Sequence, residues 1–132
     1  MEVSTRLRIC LVDDNPRLRA GLRRLLSKES DMTVVAEAGS IAEARDVMRR
    51  AVANMFVVDL GLGDESGFDL IRLLRNHDPR LPVVVLSWHS ESVYRMRSLE
   101  LGANAYVVKS DPPTALVATL REVCATRSAT MK

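Results

Sequence analysis

Five polar side chains stand where apolar runs end. Asp13 and Asp14 follow LRICLV, Asp59 follows MFVV, Ser87 follows LPVVVL and Lys109 follows AYVV. Three carboxylates within a few ångströms of one another repel, and at least one has a raised pKa unless a cation joins them. Hard oxygen donors suit Mg²⁺, which takes one or two carboxylates, several waters and phosphate oxygens. Lys109 adds a mobile ammonium and Ser87 a hydroxyl donor. A carboxylate nucleophile, a hard-metal site, an ammonium and a hydroxyl suit phosphoryl transfer, with Asp59 attacking in line while positive charge neutralises the equatorial oxygens. Taken singly, each residue is an ordinary cap, turn residue or solvated charge; their joint placement carries the reading.

That placement requires strands whose C-terminal ends share one edge. Leu7–Val12 is a nearly continuous apolar run, as in a buried parallel strand. Asn15 and Pro16 then read as the cap and first residue of a helix. Leu18, Leu22, Leu25 and Leu26 form its inner stripe, with Arg17, Arg19, Arg23 and Arg24 on the other faces. Met32–Ala38 reads as a second strand, and Ser40 with Glu43 as a capping box opening a helix with the stripe Ile41, Ala44, Val47, Met48 and Ala51. Residues 54–60 form the third strand, and Phe68, Ile71 and Leu74 mark a third helix closed by Asp78-Pro79. Residues 81–86 form the fourth strand. A fourth helix runs from about Glu91, with Val93, Met96 and Leu99 inward and Gly102 as its stop. Ala105–Val108 is the fifth strand. Asp111-Pro112-Pro113 starts the last helix, with the stripe Leu116, Val117, Leu120, Val123 and Cys124, and the polar tail 125–132 is expected to fray.

Strand and helix therefore alternate five times. Short connections imply an α/β fold, a parallel sheet covered by helices on both faces, and right-handed crossovers leave few topologies. If strand one lies beside strand three, the order reverses there, and open α/β sheets bind ligands at such a switch point.

The 132 residues fit one domain. A net charge of +2 is too slight to argue nucleic-acid binding. No apolar run approaches the roughly 18 residues of a membrane span, and the N-terminus lacks a signal-peptide plan. Cys10 and Cys124 are expected to be buried free thiols, which with the missing leader places the chain in the cytoplasm.

Taken in order and spacing, the acidic pair Asp13-Asp14, Asp59 in VVDLGLGDESG, Ser87 in VVVLSWHS and Lys109 closing GANAYVVKS resemble the receiver domain of bacterial two-component response regulators, CheY-like. The resemblance covers about residues 7–124 and makes 1–132 a single receiver domain. It implies the flavodoxin-like (βα)5 three-layer sandwich with strand order 2-1-3-4-5. It implies that Asp59 accepts a phosphoryl group from a sensor histidine kinase or phosphotransfer protein. Asp14, Asp59 and the Gly61 backbone carbonyl would bind Mg²⁺, with Asp13 acting through water. Lys109 would contact the phosphoryl group, Ser87 would swing to bind it, and Tyr106 would be the switch aromatic that follows. The helix-one arginines, LSWHSE and GANAY look most like the NarL/FixJ-type branch, whose members carry a C-terminal helix-turn-helix domain. None lies within these residues, so DNA contact is expected only through an output domain outside this chain. The implied role is a phosphorylation-controlled signalling switch regulating dimerisation or transcription.

Three departures stand out. Trp88 follows Ser87 where many receivers have a small residue, and reads as a partly buried loop aromatic, a shield for the site or part of a partner surface. Ser110 replaces a frequent proline. GLGDES lacks the usual proline, which predicts a more mobile loop. These departures motivate an alternative: a phosphorylation-independent receiver acting as a protein-interaction module. An enzyme proper is disfavoured, because the short loops leave no lid, no second carboxylate lies two residues beyond Asp59, and GxSxG, Walker and GxGxxG sequences are absent. His89 reads as a loop residue without a partner placed to make it a nucleophile or ligand.

Overall fold

The computed structural model describes residues 6–130, with side chains through Thr126. Five strands form one parallel sheet: β1 (Leu7–Val12), β2 (Met32–Ala38), β3 (Met55–Val58), β4 (Val83–Ser87) and β5 (Ala105–Val108), in the order β2-β1-β3-β4-β5. β1 is paired on both sides, Ile9 facing Met55 and Val12 facing Val58 across the switch point. Five helices connect and follow them: α1 (Pro16–Ser27), α2 (Ile41–Arg50), α3 (Gly67–His77), α4 (Ser92–Glu100) and α5 (Pro113–Thr130). This is the flavodoxin-like three-layer arrangement.

Strand alternation sends the buried side chains to two faces. On one, Val12, Val58 and Val85 meet Ala44 and Val47 of α2 and Leu70, Ile71 and Leu74 of α3. On the other, Ile9, Leu11, Val57 and Val84 meet Leu26 of α1 and Leu116, Leu120 and Val123 of α5. Both faces of the central strands are therefore dry, which explains their unbroken apolar sequence.

Local chemistry sets the helix starts. Asn15 Oδ1 accepts from the Arg17 and Leu18 amides at 3.0 and 3.3 Å, directly before Pro16. Ser40 Oγ accepts from the Glu43 amide, while the Glu43 carboxylate reaches one residue past the cap to the Gly39 N–H at 2.6 Å. Ala51 is exposed in the left-handed region (φ 55°) and caps the end of α2 rather than extending its apolar stripe.

Three further expectations are corrected. α5 continues to Thr130, past the point where the tail was expected to fray, and only residues 131–132 of that tail lie outside the described ones. Both cysteines are free, but Cys124 is only half-buried; burial pushes the Cys10 thiol up to about 12. On α4 the expected inner stripe faces outward, with Val93 and Met96 at 64% and 59% exposure and Leu99 exposed as well. Ser98 is the buried residue, its hydroxyl donating to the Tyr94 carbonyl at 2.8 Å, and half-buried Tyr94 and Leu101 pack on the core beside it. The inner face is thus Tyr94–Ser98–Leu101, at four- and three-residue spacing. Replacing Val93 by Glu is accordingly expected to move the urea midpoint by no more than about 0.5 kcal/mol. A loss of about 2 kcal/mol would return Val93 to the core.

Candidate metal and phosphoryl site

The C-terminal ends of β1, β3, β4 and β5 carry the predicted residues to one edge. The Asp59 amide donates to the Val12 carbonyl at 2.9 Å, so the ladder between β1 and β3 runs to the residue that bears the carboxylate. The Asp13 amide donates to Ala38 O at 3.0 Å, and Lys109 N–H to Ser87 O at 2.6 Å. Each side chain is therefore held by main-chain bonds just beyond its strand.

Lys109 Nζ lies 3.0 Å from Asp13 Oδ2 and 3.2 Å from Asp59 Oδ2. Its side chain is 5% exposed and that of Asp59 14%. Asp13 is buried, and its other oxygen accepts from the Asn15 amide at 2.9 Å. Asp14 projects into solvent. Burial raises the Asp59 pKa above the usual carboxylate value and the Asp13 charge adds to it, while the Lys109 ammonium and the Gly61 N–H oppose the rise.

Carboxylate oxygens of Asp13, Asp14 and Asp59 lie within 4.8 Å of one another. Three carboxylates against one ammonium leave an excess of two negative charges, and the donors are hard oxygens. Both features fit a divalent cation such as Mg²⁺. Gly63 turns the loop beside Asp14 with a positive φ of 64°, a conformation that favours glycine. The loop after Asp59 carries structure of its own. Gly61–Leu62 pairs antiparallel with Glu65–Ser66, and the Glu65 carboxylate accepts from the Ile41 N–H at the start of α2, at 2.9 Å.

Ser87 and Tyr106 sit beside the cluster without joining it. Ser87 is buried and its Oγ accepts from the His89 amide at 3.1 Å. Tyr106 is buried, and its hydroxyl donates to the His89 carbonyl at 2.6 Å. One residue, His89, thus ties both through its backbone, and its ring stacks on Tyr94 at 4.0 Å. Trp88 is 64% exposed, more open than a partly buried loop aromatic, and its ring lies over Lys109 Nζ at 5.7 Å from the centroid.

Sequence reasoning missed Arg19, Glu65 and the backbone role of His89. Arg19 was placed with Arg17, Arg23 and Arg24 on the outer faces of the helix and given no role; its guanidinium bonds the Asp13 carbonyl and pairs with Glu37 at 3.0 Å. Its position one turn into α1, six residues after Asp13, was the available signal. Glu65 and Ile41 are 24 residues apart, and nothing local announces their contact.

A family model for the response regulator receiver domain matches residues 9–121. The chain belongs to the response regulator receiver domain family. Among similar curated proteins, the methanol utilization control regulatory protein MoxX of Paracoccus denitrificans is 35% identical over 89% of this chain and 53% of its own length. The nitrate/nitrite response regulator protein NarP of Escherichia coli (strain K12) is 31% identical over 92% of this chain and 56% of its own. The receiver chain spans about half the length of these curated relatives. A two-component response regulator of the LuxR family from Aurantimonas sp. SI85-9A1 superposes with a TM-score of 0.88 at 34% identity, covering 92% of this chain and 87% of that one. The receiver domain of a NarL from Mycobacterium tuberculosis gives 0.81 at 25% identity, over 92% and 97%. These likenesses place this receiver in the NarL/FixJ-type branch. No helix among the described residues is long and apolar enough to cross a membrane.

Proposed function

We propose that this receiver is a phosphoryl-accepting switch in which Asp59 is the acceptor. The observation that carries the reading is the Lys109 ammonium bridging Asp13 and Asp59 beside a third carboxylate, Asp14. The donor is a phosphohistidine on a sensor kinase or phosphotransfer protein. An Asp59 oxygen attacks the phosphorus in line, the phosphorus–nitrogen bond breaks, and its electron pair returns to the imidazole. Lys109 keeps its bond to Asp13 beside the acceptor and turns the donor that faces Asp59 Oδ2 to the incoming phosphoryl oxygens. Ser87 releases the His89 amide and donates its hydroxyl to the same group. Asp14, Asp59 and the Gly61 carbonyl would hold Mg²⁺, with Asp13 helping through water, and the bound ion would supply positive charge against the phosphoryl oxygens. Water attack on the acyl phosphate later returns free Asp59 and inorganic phosphate.

The readout is a population shift. Once Ser87 leaves, the His89 amide loses its acceptor, and the 88–91 loop that also holds the Tyr106 hydroxyl is free to repack. The face of α4, β5 and α5 changes, governing a homodimer or an attached output domain through which DNA is regulated. The site of action is the cytoplasm. A second reading, a phosphorylation-independent interaction module, is favoured by one feature: Tyr106 already lies inward, bonded to His89.

Acetyl phosphate with Mg²⁺ is expected to label the wild-type chain, and Asp59→Asn to lower the label at least about 100-fold. Persistent label in that variant would refute the acceptor assignment, and absence of label in the wild type would favour the second reading.

A further inference from the structure

We propose that Trp88 is a positioning residue for Lys109: its indole covers the outer side of the ammonium and keeps it on the Asp13–Asp59 pair. The contact stands on geometry alone; its kinetic consequence rests on the acceptor reading above.

A lysine ammonium has three N–H donors. Asp13 Oδ2 and Asp59 Oδ2, at 3.0 and 3.2 Å, take two directions. The Trp88 ring lies on another side, its centroid 5.7 Å from Nζ, within the range at which an aromatic face attracts a cation. The Lys109 side chain is 5% exposed and Trp88 64%, so the indole is the outer member of the pair.

The sheet dictates the meeting. Ser87 and Val108 are paired at the ends of β4 and β5, and Lys109 N–H donates to Ser87 O at 2.6 Å. Trp88 and Lys109 are the next residues on each strand, so indole and ammonium leave from hydrogen-bonded backbones and converge just past the edge. Trp88 and Lys109 together border a cavity of about 130 Å³ that Asp111 also lines and whose apolar wall includes Leu18, Leu22, Leu25 and Leu116. An aliphatic side chain at position 88 would retreat into that apolar space and uncover the ammonium. A phenyl ring would still present an aromatic face.

Trp88→Leu and Trp88→Phe separate the aromatic face from bulk. In proton NMR spectra the Lys109 ε-methylene resonances are expected upfield in the wild type, shifted by the ring current, with the shift lost in Trp88→Leu and kept in part in Trp88→Phe. Labelling by acetyl phosphate at saturating Mg²⁺ is expected to slow about three- to tenfold in Trp88→Leu and to stay within about twofold in Trp88→Phe. The proposal is overturned by an unshifted Lys109 in the wild type, by Trp88→Leu labelling as fast as wild type or faster, or by equal slowing in both variants. A wild-type chain that shows the shift but takes no label sinks the acceptor reading and upholds the Trp88–Lys109 contact, so the two failures are distinguishable.

Discussion

Replacing Gly67 by alanine is expected to cost the fold about 3 kcal/mol or more, the upper range for overpacking a site that cannot yield. A Cβ on Gly67 would stand 2.4 Å from the Asp59 carbonyl oxygen, 2.5 Å from Leu60 Cα and 3.1 Å from the Asp59 carbonyl carbon. All three are main-chain atoms of the segment that presents the acceptor carboxylate, so no side chain can swing aside. Gly67 is buried at the first position of α3, and its N–H donates to Leu60 O at 2.8 Å. Relief requires α3 to retreat from Leu70, Ile71 and Leu74's seat in the core, or the Asp59–Leu60 peptide to move. The first loses burial, and the second displaces the carboxylate. Gly61 provides the control, since a Cβ there meets nothing within 4 Å. Gly61→Ala is expected within about 0.5 kcal/mol of wild type in urea denaturation. Equal midpoints for both variants would show that α3 does not approach Asp59 this closely.

Lys109→Met is expected to lose about 3 kcal/mol of stability in chelator, because it leaves two carboxylates close together in a nearly sealed space. Methionine keeps the apolar stem, so the loss reports the ammonium. Mg²⁺ is expected to restore part of it, since a divalent cation replaces the missing charge. The dependence on pH follows from Asp59. Burial already raises its pKa, and Lys109 is the main opposing influence; without the ammonium the rise is larger. The native state then binds a proton at a pH where the unfolded chain has released it. Stability therefore falls as pH rises through the window between the ordinary and the raised value. The defect is greatest at neutral pH and shrinks as pH falls toward the raised Asp59 value. Denaturant midpoints with and without Mg²⁺, at neutral and mildly acidic pH, test this; a variant as stable as wild type in chelator at neutral pH would contradict it. Phosphoryl labelling of the same variant is expected to drop about 100-fold or more, the scale of removing a preorganised charge from a transition state.

Most of the gathering of polar groups at the strand ends was legible in the sequence. Asp13, Asp59, Ser87 and Lys109 each follow an apolar run, and a parallel sheet sends all such positions to one edge. Distances of 3.0 and 3.2 Å around Lys109 agree with that inference. α4 was misread for a physical reason. Its apolar residues lie on both faces, and the buried position is Ser98, whose hydroxyl is satisfied within its own helix by Tyr94 O. Hydrophobicity alone selects Val93, Met96 and Leu99, whereas packing selects the small residue. The contact of Glu65 with the start of α2 was not legible because it is non-local. Trp88 was read as a partly buried loop aromatic, a shield for the site or part of a partner surface; at 64% exposure it is more open than the first of these, and its ring centroid lies 5.7 Å from Lys109 Nζ.

Asp59 as acceptor is tested most directly by chemical trapping. After acetyl phosphate and Mg²⁺, borohydride reduces an aspartyl phosphate to the alcohol and leaves free carboxylates untouched, so peptide mass spectrometry locates the residue without mutation. The expected result is reduction at Asp59, with Asp13, Asp14 and Asp64 unmodified. Reduction at any of those three with Asp59 intact would contradict the assignment on which the proposed switch depends.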